Sequence, residues 1–122
     1  VKGIVKNEAG DDGETFPARY LRTLPDVASS EWDFDSWTPN VVVVAAGGTD
    51  ITSTTPPAGF REGYEGLVTS IRKRHPKAHV LMTIWSQIKD LDPPGFRQRS
   101  TLKAVLDEIK AAHASDTRLH VF

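Results

Sequence analysis

The stretch that decides the fold is Trp37–Asp50, WTPNVVVVAAGGTD. Its valines are too apolar and too β-branched for a solvated strand, so residues 40–46 are expected to form a buried central strand. The run ends on Gly47, Gly48, Thr49 and Asp50, so that strand delivers a polar loop. In an open α/β sheet ligands bind beyond the C-terminal ends of the strands, which places those four residues at the functional address. A Gly-Gly turn there can aim backbone N–H groups at an oxyanion or a phosphate.

Towards the C-terminus, residues 51–57 are rich in Thr, Ser and Pro and read as an extended connection. The periodicity then changes. Phe60, Tyr64, Leu67, Val68 and Ile71 form the stripe of an amphipathic helix, with Arg72, Lys73, Arg74 and His75 at its C-terminal dipole and Pro76 ending it. This reads as a helix end rather than a phosphate site. Gly63 and Gly66 lower the helix propensity, and Gly66 is expected to allow close packing on the sheet. AHVLMTIWS (78–86) is apolar and of strand length, so residues 40–46 and 79–85 fit a right-handed βαβ unit in a parallel sheet. Residues 87–99 make a second loop on the same rim. Asp90 and Asp92 within it are a conceivable cation pair, although Lys89 and Pro93 favour a solvated turn. Leu102, Val105, Leu106 and Ile109 predict a helix over 100–114, and 118–122 a further strand.

Towards the N-terminus, Trp32, Phe34 and Trp37 stand among Glu31, Asp33 and Asp35 and are expected to anchor an irregular segment to the sheet. Residues 16–24 read as a helix capped by Thr15, with Pro17 in its first turn. Residues 7–14 read as an acidic surface loop, and 1–6 as a brief strand or extended loop entering the fold. Alternating strands and helices give α/β class, a three-layer α-β-α sandwich on a mainly parallel sheet, as one domain over 1–122.

Fifteen basic and sixteen acidic residues leave a net charge of -1, which supplies no overall positive field for nucleic acid. The absence of cysteine excludes a disulfide framework and a thiolate metal site. No apolar run is long enough to span a bilayer, so neither membrane nor nucleic acid is an expected partner. The dinucleotide, P-loop, zincin and nucleophile-elbow fingerprints are missing. The four histidines, at 75, 79, 113 and 120, show no spacing that argues a triad, and each reads as structural. The residues name no metal, cofactor, compartment or oligomeric state. On the rim they leave Thr49, Asp50, Trp85, Ser86 and the amides of Gly47 and Gly48. Asp50 reads more readily as a loop-fixing carboxylate than as an acid, and Trp85 equally as a cap of the sheet or a ligand contact.

Several segments in order, VKGIVKN, LRTLP, WDFDSWTPNVVVVAAGGTD and GFREGYEGLVTSIRKRHPKAHVLMTI, resemble the SGNH (GDSL-type) hydrolases, most nearly the family two carbohydrate esterases that include acetyl xylan esterases. The resemblance covers nearly the whole chain. It implies a serine esterase that removes acetyl groups from sugar hydroxyls without a cofactor: Ser in a GDS block, His in a DxxH block, and an oxyanion hole that includes the Asn of a GxND block. Gly47 matches the first glycine of that block and Asp50 its aspartate, while Thr49 stands where the Asn belongs. Gly3 lies near a second block that is expected to supply an oxyanion N–H. Gly47, Gly48, Asp50 and Trp85 are the residues expected to line the substrate side of these loops. Neither GDS nor DxxH occurs in the chain, so the match is to the middle of such a domain. The expectation is a portion of a carbohydrate esterase, inactive alone, whose partner is an acetylated carbohydrate or other small ester and for which a secreted or periplasmic setting fits the family. A degenerate, non-catalytic carbohydrate-binding domain is the alternative. A phosphate-binding flavodoxin-like domain is disfavoured, because TSTTPP does not start a helix at the glycines.

Overall fold

In the computed structural model, which describes residues 3–5, 14–91 and 96–122, the elements follow in the order α1 (Phe16–Arg19), β1 (Val41–Val44), α2 (Phe60–Arg74), β2 (His79–Met82), β3 (Asp90–Leu91), β4 (Phe96–Arg97), α3 (Gln98–Ala112) and β5 (Leu119–Val121). The acidic loop expected over 7–14 and Asp92 fall almost wholly outside the described residues. Of the brief strand or extended loop expected at 1–6, residues 3–5 are described and are irregular rather than a strand.

β1, β2 and β5 form a parallel sheet in that order, with Val41 opposite His79 and Val80 opposite Leu119. The ladder runs past the strand ends through Thr83 N to Val44 O at 2.9 Å and Phe122 N to Met82 O at 2.9 Å. Two successive right-handed crossovers that step in one direction place both crossover helices on the same face of the sheet. The core follows from this. Phe60, Tyr64, Leu67, Val68 and Ile71 of α2 and Leu102, Val105, Leu106 and Ile109 of α3 are all buried, against Val44, Val80, Met82 and Leu119. These are the two predicted stripes.

The valine run departs from expectation. Among the described residues β1 is an edge strand and β2 the middle one. Side chains alternate across a strand, so Val42 and Val44 face the helices while Val41 and Val43 lie on the other face, 48% and 61% exposed. That second face also carries His79, Leu81 and His120, whose imidazoles meet at 3.0 Å. The described residues thus hold two layers of the expected three.

Local boundaries moved for identifiable reasons. α1 stops at Arg19 because Arg22 pairs in an antiparallel bridge with Glu31, and Thr23 N donates to Ser30 O at 2.9 Å. Thr15 makes no side-chain cap; Phe16 N donates instead to Gly3 O at 2.8 Å. Arg72 closes the end of α2 by donating to Ala78 O at 2.6 Å and pairing with Asp116 at 2.9 Å, which agrees with a helix-end role for the basic cluster. The close-packed glycine is Gly63, where an added Cβ would lie 3.1 Å from Ile4 and Val5; at Gly66 it would meet nothing within 4 Å. The 87–99 loop contains a short antiparallel pair, β3 with β4, that no periodicity announced.

No helix among the described residues is long and apolar enough to cross a membrane.

Candidate functional site

β1 ends at Val44, and the chain then turns through Ala45, Ala46 and Gly47, where φ is +95°. A side chain is excluded at Gly47 twice over: by that left-handed backbone and by Phe60, whose Cζ lies 2.8 Å from where a Cβ would stand. At Gly48 a Cβ would lie 2.4 Å from Ile88. The two glycines let the loop lie flat against α2, α3 and the 87–91 segment, and Asp50 N closes the turn on Gly47 O at 3.3 Å.

Asp50 is 1% exposed. Its carboxylate accepts the backbone N–H of Ile4 at 2.8 Å and of Val5 at 2.9 Å. Gly3 is required by the same contact, since a Cβ there would come within 2.5 Å of both carboxylate oxygens. One buried side chain therefore ties the N-terminal segment to the rim loop across 46 positions of sequence. Charge-assisted bonds to backbone amides are the stronger kind, so this is a rigid joint. It is the loop-fixing arrangement, and Asp50 stands behind the loop rather than on its open side.

From the other side, Gln98 Nε2 donates to Gly48 O at 2.6 Å. The C=O and N–H of a trans peptide point in opposite directions, so fixing the Gly48 carbonyl also fixes the direction of the Thr49 N–H. Gln98 carried no signal in the sequence; a glutamine opening a helix is unremarkable until its partner is known.

In front of the loop lies a cavity of about 320 Å³. Its polar wall is Gly47, Gly48, Thr49 and Thr83; Phe16, Ala46, Trp85, Ile88 and Leu102 supply apolar walls. Thr49 is exposed, and Trp85, 53% exposed, stands at the mouth. Gly47, Gly48, Thr49 and Trp85 therefore share one cavity, with Asp50 and Gly3 joined behind it. Larger clefts occur near Arg61 and Thr101, about 640 Å³, and near Trp32 and Arg74, about 550 Å³. The rim cavity is the one at the C-terminal end of the parallel strands, where ligands of open α/β sheets bind.

None of the histidines lines that cavity. His113 Nε2 meets Glu65 at 3.0 Å between α3 and α2. His75 is buried at the end of α2, and burial, aided by the Arg74 charge, pushes its pKa down. Asp90 is engaged by Ser100, whose hydroxyl and backbone N–H (3.0 Å) hold its carboxyl below the usual range. It thereby caps the first turn of α3 instead of waiting for a cation. Among the described residues no three His, Asp or Glu side chains come together as a metal site.

Chemically, the loop offers a preorganised N–H direction at Thr49, a hydroxyl beside it, and a small apolar cavity. These features suit an oxyanion next to a short acyl group or a sugar ring.

The fold and the sequence both have known counterparts. Residues 4–122 match the GDSL-like lipase/acylhydrolase family. The cellulase/esterase CelE of Acetivibrio thermocellus is 32% identical over 83 residues, which are 67% of this chain and 10% of that protein. A family two carbohydrate esterase from Clostridium thermocellum, solved in complex with cellohexaose, superposes with a TM-score of 0.78 at 24% identity over 98% of this chain and 36% of that one. A family two carbohydrate esterase from Cellvibrio japonicus superposes with a TM-score of 0.79 at 20% identity, over 98% of this chain and 35% of that one. The structural likenesses establish the fold, and this chain spans only about a third of those structures and a tenth of CelE. With the family match running from Ile4 to the final Phe122, the chain belongs to the GDSL-like lipase/acylhydrolase family.

Proposed function

We propose that these 122 residues form one wall of the active site of a carbohydrate esterase, the wall that holds the ester carbonyl, acting on acetyl or similarly small acyl groups carried by a sugar. The observation that carries this reading is the Thr49 peptide. It is pinned by Gln98 through Gly48 O, and Thr49 lines a cavity of about 320 Å³ at the C-terminal end of the sheet.

In this reading a serine supplied from outside these residues attacks the carbonyl, and a histidine, also from outside, takes its proton. Negative charge gathers on the carbonyl oxygen, where the Thr49 N–H and hydroxyl donate to it. The sugar hydroxyl departs with the proton that the histidine returns, and water then cleaves the acyl-enzyme by the same steps in reverse. Gly3 and Asp50 act by position: the carboxylate clamp sets the distance between the N-terminal segment and the loop. Trp85, exposed at the mouth, offers a flat face to the sugar. The same exposed indole favours a second reading, in which the rim binds carbohydrate without turnover.

The test is hydrolysis of 4-nitrophenyl acetate and of acetylated xylan by the full-length parent. Thr49→Val is expected to lower kcat by about 10²-fold, the scale of losing one oxyanion donor, with little change in KM. A parent whose flanking sequence lacks both GDS and DxxH, and which binds acetylated oligosaccharide without releasing acetate, would establish the binding reading instead.

A further inference from the structure

The opposite end of β1 carries a second constellation that the rim chemistry does not use. The 31–39 segment enters the sheet at Val41, the N-terminal end of the strand, whereas the rim loop leaves past Val44. Of its three aromatics only Phe34 anchors as the sequence led one to expect. Its ring lies 5.5 Å from Tyr20 and 5.6 Å from His75, with the Arg74 guanidinium 4.7 Å from its centroid. The two tryptophans do not pack: Trp32 is 41% exposed and Trp37 65%.

The backbone that presents them is nevertheless held. Trp32 N donates to Leu21 O at 2.9 Å, Asp35 N to Asp33 Oδ1 at 3.0 Å, and Ser36 Oγ to Asp33 O at 2.6 Å. An exposed indole on a braced loop loses little freedom when a ligand arrives, which is the condition for tight stacking.

Two clefts of about 550 Å³ and 310 Å³ flank this segment and share Trp32 and Phe34. Both volumes fall within the range of small-ligand sites. Glu31, Asp33 and Asp35 line the larger cleft together with Lys73 and Arg74, and Arg22, paired with Glu14, lines the smaller one, so charges of both signs border the aromatic faces. Such a lining selects neither an anion nor a cation. It offers donors and acceptors on both sides of flat apolar faces, and the complement is a neutral ring with apolar faces and a rim of hydroxyls.

We propose that the Trp32–Trp37 surface is a second carbohydrate-binding site, for a neutral oligosaccharide chain, at the end of the sheet remote from the ester rim. It does not rest on the ester reading, and hydrolysis does not report on it. Indole fluorescence does. The chain holds three tryptophans, so Trp85→Phe leaves only Trp32 and Trp37 as reporters. Titrating this variant with cellohexaose and with xylohexaose to millimolar concentration is expected to give a saturating change in emission with at least one of them. Calorimetry should then show about tenfold weaker binding in Trp32→Ala and in Trp37→Ala, and partial recovery in Trp37→Tyr. Both indoles are exposed, and an unaltered thermal midpoint would show that the alanine variants fold. Three results would overturn the proposal: no emission change with either sugar in Trp85→Phe, alanine variants that bind like their background, or indoles in the full-length parent that acrylamide cannot quench. The last would mean that polypeptide covers the surface.

Discussion

The two ends of β1 are built on opposite plans. At the C-terminal end the proposed oxyanion chemistry lies in the backbone. Gly47 is a steric requirement, Gly48 lies close against Ile88, Asp50 is buried behind the loop, and Gln98 fixes a peptide plane. At the N-terminal end the side chains are presented outward, and the backbone is braced by its own turns. The difference teaches what a substitution should do: at the rim it perturbs geometry and stability together, whereas among the tryptophans it perturbs binding alone.

The largest expected effect is at the joint behind the rim. Asp50→Ala leaves the buried N–H of Ile4 and that of Val5 without their acceptor, at about 1–3 kcal/mol for each orphaned group. Urea unfolding should show a midpoint lowered to match, a large share of the 5–15 kcal/mol typical of a domain. An Asp50→Ala midpoint equal to wild type would mean that the clamp does not hold the two segments together. Trp37→Ala, by contrast, should stay within about 0.5 kcal/mol.

The paired glycines of α2 give a smaller, signed test. Gly66→Ala should stabilise by up to about 1 kcal/mol, since an added methyl meets nothing and helix propensity improves. Gly63→Ala should lose that gain or reverse it, because Ile4 and Val5 must shift to admit a Cβ at 3.1 Å. Equal effects at the two positions would contradict the packing of the N-terminal segment on α2, and with it the rim joint.

The smallest effects are in pH dependence. Burial pushes the Asp116 carboxyl up, but the Arg118 N–H, the Arg72 guanidinium and the Lys110 charge outweigh it, and the folded pKa lies below the ordinary value. A depressed carboxyl stabilises fully above the unfolded pKa of about 3.9 and loses that contribution as pH falls through the folded value. His75, depressed by burial, destabilises the fold as pH drops below about 6.5, because the unfolded chain binds the proton first. Unfolding midpoints from pH 8 to pH 3 should therefore decline in two windows, and Asp116→Asn should flatten only the acidic one.

Much of the fold was legible. The stripes of α2 and α3 named every buried residue on those helices, because a 3.6-residue period survives any loop error. The valine run marked a strand but not its place in the sheet. Apolar character is the same on both faces, and only the position of the helices tells which face is covered. The turn of the candidate loop was also legible, since glycines after a strand have a geometric reason to be there. Its supports were not. Gln98 reaches the loop across 50 positions and Asp50 reaches Ile4 across 46, and no local pattern encodes such partners. The tryptophans misled for a related reason: aromatic residues near a strand usually pack, and exposure is decided by neighbours far away in sequence.

The central claim is that the Thr49 peptide, and not the aromatic end, holds the reacting carbonyl. The direct measurement is the ¹⁵N–¹H spectrum of the full-length parent before and after reaction with diethyl 4-nitrophenyl phosphate, whose phosphoryl oxygen occupies the oxyanion position once the serine is modified. The account predicts a downfield shift of the Thr49 amide proton, with the indole N–H signals of Trp32 and Trp37 unmoved. A modified enzyme whose Thr49 amide does not shift would contradict it.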